Sequence, residues 1–284
     1  MAFIPSGVIT LTTDFGTRDG YVGAMKGVLL REFPAARIVD ISHDIAAQDV
    51  AAGAHCLAQA ATYFPDGTVH VGVVDPGVGS ARRALVIESF GSLYVGPDNG
   101  LLTRAAPVGD GKSVVWPIDR IPPGWAVHPT FHGRDLFARV AGRLAAGTSV
   151  SEFSSRPLST PPVRLALEVP EHDEDGTLVG AVIHIDRFGN VVTNVKRAEL
   201  RNLLVDSDGA LADTLHRDIE VAGRLVVEIA DQALPVVRTY ADVEPGSPLA
   251  YIGSSGDLEL AIREGSAAEW LGAKRGMRLR VRPR

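Results

Sequence analysis

The sequence predicts an α/β N-terminal domain with a mostly parallel sheet, followed by a smaller, mainly-β, barrel-like C-terminal domain. Three observations carry that expectation. In the first half, short apolar, β-branched runs alternate with segments of helical spacing. The stretch SSRPLSTPPV, Ser154 to Val163, has the composition of a linker. Beyond it, strand-like runs dominate and only two short segments look helical. The expected domains are residues 1–160 and 165–284.

Taken in order, GVITLTT (Gly7–Thr13) reads as a first strand, and Tyr21–Glu32 follows with helical spacing. ARIVDIS (Ala36–Ser42) is a second strand, and the Ala-rich Gln48–Tyr63 a second helix. VHVGVVD (Val69–Asp75) and Ala84–Phe90 are the third and fourth strands. Strands separated by helices of this length imply a parallel sheet covered on both faces. His132–Ala146 is a further helix, with apolar positions at Leu136, Phe137, Val140 and Leu144. In the second domain, strands are expected at Leu178–Asp186, Asn190–Val195, Asp218–Ile229, Leu249–Gly253, Glu259–Ile262 and Met277–Val281. Helices are expected at Lys196–Leu204 and Ser266–Leu271.

Composition narrows the function classes. The chain has 284 residues, 45% hydrophobic and 22% charged, the balance of a soluble globular protein. Its formal net charge of -6, with no Lys/Arg cluster, argues against a nucleic-acid partner. Cys56 is the single cysteine, so no intramolecular disulfide forms and a reducing cytoplasm suits the chain. No basic segment precedes an apolar stretch and no run of about 18 apolar residues occurs, so neither a leader nor a membrane partner is expected.

In a doubly wound sheet, ligands bind beyond the carboxyl ends of the strands. Three such ends carry unusual residues: TDFG at Thr13–Gly16, SHD at Ser42–Asp44, and DPGVGSARR at Asp75–Arg83. Asp14 reads either as a turn or cap residue or as a carboxylate gripping a ribose diol. The Asp75 loop reads as a solvated turn or as a ligand loop, its two glycines permitting close backbone approach. It lacks the Gly-Lys-Ser/Thr ending of a Walker A sequence, and no GxGxxG opens a helix. His132 in TFHGRD is either structural or catalytic, and His43 and Asp44 either turn residues or ligands. HExxH, CxxC and His pairs at ligand spacing are all missing, so neither a metal nor any other cofactor is expected. In the second domain, DRFGN (Asp186–Asn190) suits a hairpin turn, although Phe188 gains nothing from exposure there. GSSG (Gly253–Gly256) is either a turn or a nest of donors for a carboxylate.

Six collinear motifs together resemble the S-adenosylmethionine hydrolase family, also described as SAM hydroxide adenosyltransferases and related to fluorinases and chlorinases. They are TTDFG (12–16), ISHDIAAQDV (41–50), VVDPGVGSARR (73–83), FHGRD (131–135), IDRFGNVVTN (185–194) and GSSGDLELAI (253–262). The resemblance implies hydrolysis of S-adenosylmethionine to adenosine and L-methionine, by water or hydroxide at the ribose C5′. It implies an Asp–Arg–His set at Asp75, Arg82 and His132 and a ribose-diol acid at Asp14. Asp186 and Asn190 fall where the family holds the methionine amino-acid end, Phe188 beside the ligand, and Ser254 and Ser255 where it binds the carboxylate. It also implies a homotrimer with sites between subunits. The halogenases carry Tyr where this chain has Asp75, and the fluorinase Trp where it has Gln48, which places this chain with the water users. Whether Asp75 or His132 is the base stays open. So do a halogenase-like adenosyl transfer, a non-catalytic binding protein and a metal-dependent hydrolase.

Overall fold

A computed structural model describes residues 3–109, 111–166, 169–207 and 220–284. The chain divides into two compact units, residues 1–166 and 167–284.

In the first unit, β1 (Val8–Thr13), α1 (Tyr21–Glu32), β2 (Arg37–Ser42), α2 (Val50–Ala61) and β3 (Val69–Val73) follow in the expected order. After β3 the alternation ends. β4 (Ala84–Ser89) and β5 (Ser92–Pro97) form a hairpin, α3 (Leu101–Ala105) is a short helix, and β6 (Val114–Pro117) completes a six-stranded sheet of order β2-β1-β3-β5-β4-β6. The pairs β1/β2, β1/β3 and β3/β5 are parallel, whereas β4/β5 and β4/β6 are antiparallel. The sheet is therefore mostly parallel, but β4 corrects the reading of a fourth parallel strand. A loop rather than a crossover helix joins β3 to β4, and a two-residue turn then joins β4 to β5, so β4 runs antiparallel to its neighbours β5 and β6. Backbone chemistry explains the hairpin: Phe90 (φ 47°) and Gly91 (φ 74°) both take left-handed conformations, as a two-residue turn matching strand twist requires.

Alternating side chains divide the core between the two faces of the sheet. Val86, Leu93 and Val95 face α1 and α4 (Ala138–Ala145), joining Met25, Leu29, Phe137 and Val140. Leu85, Ile87 and Tyr94 face α2 and α3, joining Leu57, Leu101 and Leu102. The helix expected from His132 starts differently, as a π-helical turn at Gly133–Phe137 that runs into α4. The stretch 154–163 is not a free linker. Ser154 is buried, Leu158 donates to the Val115 carbonyl at 2.7 Å, and Val163 donates to Asp98 Oδ1 at 2.7 Å.

The described residues of the second unit form an antiparallel sheet of eight strands. They are β7 (Glu171–His172), β8 (Leu178–Ile185), β9 (Val191–Lys196), β10 (Leu225–Ile229), β11 (Gln232–Pro235), β12 (Pro248–Ile252), β13 (Asp257–Ile262) and β14 (Arg278–Pro283). The order is β11-β10-β14-β8-β9-β13-β12, with β7 on β8. The terminal strands approach one another at the Val236–Ala250 bridge, so the sheet is a nearly closed barrel around Leu178, Val191, Leu225, Val227, Leu258 and Leu260. Among its described residues, two α-helices accompany it, α5 (Arg197–Ser207) and α6 (Ala267–Leu271). Residues 218 and 219 of the expected strand Asp218–Ile229 lie outside the described residues; its regular part begins at Leu225. Among the described residues, no helix is long and apolar enough to cross a membrane.

Candidate active site

Parallel pairing brings the three sequence-predicted strand ends to one edge. Thr13 on β1 pairs beside Val73 on β3, and Thr12 beside Ser42 on β2. The residues that follow each strand are thus neighbours above the same rim, where ligands collect in sheets of this kind. A cavity of about 570 Å³ opens there, lined by Asp14, Gln48, Asp75 and His132 together with the aromatic rings of Phe15, Tyr21 and Phe131.

Its polar floor is a connected network. The Arg82 guanidinium donates through Nε to both Asp75 oxygens at 3.0 and 3.1 Å, and through a terminal nitrogen to Oδ2. That terminal nitrogen also lies 2.7 Å from His132 Nδ1. Arginine only donates, so Nδ1 must accept and the neutral imidazole carries its proton on Nε2. Burial, then the charge of Arg82, hold the His132 pKa below its ordinary value, while Asp75 and Asp135 oppose them. The Asp75 side chain is 5% exposed and that of Arg82 10%, so this ion pair is largely shielded from water. Arg82 also lies over the Phe137 ring, 5.3 Å from its centroid. Three residues separated by up to 57 positions are thereby locked in one arrangement.

Local structure supports the network. A Cβ at Gly79 (φ 79°) would sit 2.9 Å from the Pro129 carbonyl oxygen, so this glycine lets the Asp75 loop pack against the loop carrying His132. At Gly77 a Cβ would meet only its own loop, 3.4 Å from Arg82 Cγ and Ser80 Oγ. Asp135 Oδ2 accepts from the His128 N–H at 3.0 Å and pairs with Arg134, fixing the turn before His132. Arg83 has a separate role: it binds Asp98 and reaches Thr160 and the Pro161 carbonyl, tying down 160–163. His43, buried, shares a 2.8 Å hydrogen bond with Thr13 through Nδ1, and this staples two strand ends. Asp14 stands on the rim, where its Oδ2 accepts from the Gln48 backbone N–H at 2.8 Å. Sequence reasoning did not include Tyr21 and Phe131 in the site. The signal for Phe131 was its place directly before His132.

In the second unit the expected residues occupy two loops. Asp186 Oδ1 accepts from the N–H groups of Phe188 and Asn190, each at 2.8 Å, and Oδ2 accepts from the Asn190 side-chain amide at 2.8 Å. Phe188 is 78% exposed and Asn190 is buried. The Gly253–Gly256 turn joins β12 to β13; Ser255 donates to Asp257 Oδ2 at 2.9 Å, and Ser254 is exposed. Between these loops stands Glu259, which sequence reasoning missed. Tyr251 donates to it at 2.5 Å, and a Cβ at Gly253 would collide with its carboxylate. Burial raises its pKa against the Tyr251 hydrogen bond, with Asp186 and Asp257 adding to the rise. Among the described residues, no three His, Cys, Asp or Glu side chains converge as metal ligands would.

The comparisons agree with this geometry. Residues 9–154 match the SAM hydroxide adenosyltransferase N-terminal domain, and residues 180–280 match the C-terminal domain of the same family. The chain belongs to the SAM hydroxide adenosyltransferase family. A (R)-S-adenosyl-L-methionine hydrolase from Salinispora tropica is 39% identical over 278 residues, covering 98% of each chain. A fluorinase from an Actinoplanes species is more distant, 28% identical across 96% of this chain and 97% of its own. The crystal structure of an uncharacterized conserved protein from Thermotoga maritima aligns with a TM-score of 0.81 at 29% identity, covering 97% of this chain and 99% of that one.

Proposed function

We propose that this protein hydrolyses S-adenosyl-L-methionine to adenosine and L-methionine. The observation that carries the reading is the shielded Asp75–Arg82–His132 network on the floor of the cavity, in a chain of this family. Water attacks the ribose C5′, the C5′–S bond breaks, and the sulfonium takes the bonding pair and leaves as the neutral thioether of methionine. The water oxygen becomes the 5′-hydroxyl and one proton is released. A sulfonium departs without protonation, so no general acid and no Lewis acid at the leaving atom is required.

The missing part is the nucleophile, since bulk water has a pKa of about 15.7. Holding one water in line with C5′ supplies the entropic share of catalysis. His132 presents an N–H at Nε2, its other nitrogen being committed to Arg82, so it acts as a donor that positions the water. Asp75, whose oxygens keep lone pairs beyond those Arg82 uses, accepts the proton. Arg82 stabilises the developing hydroxide. Asp14 grips the ribose diol. The anionic Asp75 beside the reacting carbon disfavours halide as the nucleophile, which supports hydrolysis over halogenation.

The finer reading extends to the assembly. Asp186, Phe188, Asn190, Ser254 and Ser255 hold the methionine end, and the chain works in the cytoplasm as a homotrimer whose subunits complete one another's sites. Head-to-tail contacts of that kind close under three-fold symmetry. Mixing inactive Asp75→Asn and Asn190→Ala subunits under exchange should restore part of the activity; exchanged rings that stay inactive would refute shared sites. The reaction itself is tested by incubating the purified protein with S-adenosylmethionine and EDTA and chromatographing the products. Adenosine and methionine should appear in equal amounts. Activity lost on chelation and restored by a divalent ion would overturn the metal-free mechanism.

A further inference from the structure

The loop from Asp75 to Arg82 carries two of the three network residues at its two ends, and its interior is exposed at Pro76 and from Val78 to Ala81. The separation of Asp75 from Arg82 is therefore set by how the chain enters and leaves the loop. Strand pairing stops short of both ends. On the entry side the last residue paired with β1 is Val73, and Val74, fully buried, lies beyond it. On the exit side β4 begins only at Ala84, after Arg83. One turn, Pro97-Asp98-Asn99-Gly100 at the end of β5, reaches both places. Asn99 Nδ2 donates to the Val74 carbonyl at 2.8 Å, while Asn99 Oδ1 accepts from the Leu101 N–H at 3.2 Å, which fixes the carboxamide. Asp98 Oδ2 accepts from Arg83 Nε at 2.6 Å, and the Asp98 N–H donates to the Arg83 carbonyl at 3.0 Å. The Asp98 side chain is 2% exposed, so its grip on Arg83 is little weakened by water.

Asp and Asn before Gly are ordinary turn residues, and their side chains ordinarily serve their own turn. Here the two side chains leave the turn in opposite directions and hold the residue before Asp75 and the residue after Arg82. Neither side chain lines the cavity, so any effect on chemistry passes through the loop. We propose that Asp98 and Asn99 are positioning residues for catalysis: together they clamp both ends of the Asp75–Arg82 loop and so set the geometry in which Arg82 bridges Asp75 and His132. Asn99 fixes the Asp75 end through the Val74 carbonyl, and Asp98 fixes the Arg82 end through Arg83. The adjacent arginines then work as a pair, Arg83 anchoring the backbone from which Arg82 reaches into the network. This rests on the hydrolase reading above, with the network as its centre.

The test measures kcat and KM for S-adenosylmethionine, and the His132 titration by NMR, in wild type, Asp98→Asn and Asn99→Asp. Asp98→Asn keeps an acceptor for the Val163 N–H but turns an amide toward Arg83, which needs an acceptor. Asn99→Asp keeps the acceptor for Leu101 and loses the donor to Val74. In each, kcat should fall about 10-fold, less than the 10² that a 1 Å misplacement can cost, with KM within about twofold. In Asp98→Asn the His132 titration should rise, because a displaced Arg82 no longer holds it down. Removing a negative charge would by itself lower that titration, so the sign separates displacement from a plain charge effect. If Asp98→Asn does not fold, Asn99→Asp decides through kcat. Wild-type kcat in whichever variant folds would overturn the proposal, and so would a fall in kcat in Asp98→Asn with the His132 titration unmoved or lowered. Should the wild type fail to cleave S-adenosylmethionine, the hydrolase reading falls, and the His132 titration in Asp98→Asn still judges the clamp.

Discussion

Two acidic loops at strand ends, Asp75 to Arg83 and Asp186 to Asn190, have much in common as sequence and are built in opposite ways. Each joins an aspartate to glycine and an arginine. In the first, the carboxylate is met by a guanidinium seven residues on, which in turn meets His132 from a distant helix start. In the second, the carboxylate is met by two N–H groups and one side-chain amide of its own turn. The first loop thus spends its charge on a network that reaches into a cavity. The second spends it on its own shape. An aspartate compensated by a long cation keeps its charge balanced while leaving lone pairs for a ligand, whereas one that caps its own backbone is first of all a loop staple.

The largest effect that would sharpen this contrast is catalytic. Asp75→Asn should lower kcat by about 10²-fold or more with KM changed less, as loss of a general base and of preorganised charge requires. Normal turnover of that variant would erase the distinction between the loops. The next effect is on stability and bounds the pH range in which activity can be compared. His70, fully buried, has a pKa lowered from 6.5 to about 4 by burial. Below pH 6.5 the unfolded chain takes up a proton that the folded chain refuses, so stability falls as pH drops from there to about 4. The loss should total roughly 3 kcal/mol, and His70→Gln should flatten that slope in denaturant melts.

Asp186→Ala should destabilise the second unit by about 1–3 kcal/mol, because the two backbone N–H groups lose their acceptor, and the denaturant midpoint should fall accordingly. An unchanged midpoint would mean that the turn does not depend on its staple. The smallest effect is electrostatic. The His132 imidazole, followed by NMR, should titrate below 6.5 in wild type. It should titrate lower still in Asp75→Asn, because the Asp75 charge opposes the lowering. A rise instead would contradict the network.

Much of this was legible in the sequence. Period-two and helical patterns located β1 to β4, α1, α2 and α4, since long periodic segments bury a face and leave a strong signal. The β5 strand was not, because SLYVGP is short, contains Gly and Pro, and enters by a Phe-Gly turn rather than an Asn-Gly one. For the same reason β4 was read as parallel: pairing direction depends on the connection, which the strand itself does not encode. Asp14 and Asp75 stood out as polar residues at the ends of apolar strands and His132 as a histidine beside glycine at a helix start, and the structure places all three on one cavity. Only the family resemblance, not the residues themselves, set Arg82 apart from Arg83. Two adjacent arginines differ only in which way the chain aims them, one at His132 and the other at Asp98 and Pro161. Glu259 was missed because its significance comes from Tyr251 and Asp186 on other elements.

The central claim is that water, activated on the Asp75 network, becomes the 5′-hydroxyl of adenosine. Single-turnover hydrolysis of S-adenosylmethionine in H₂¹⁸O with EDTA present, read by mass spectrometry, tests it directly. The account predicts one ¹⁸O in adenosine, none in methionine, and formation of both slowed by about 10²-fold or more in Asp75→Asn. Unlabelled adenosine, or label in methionine alone, would contradict it.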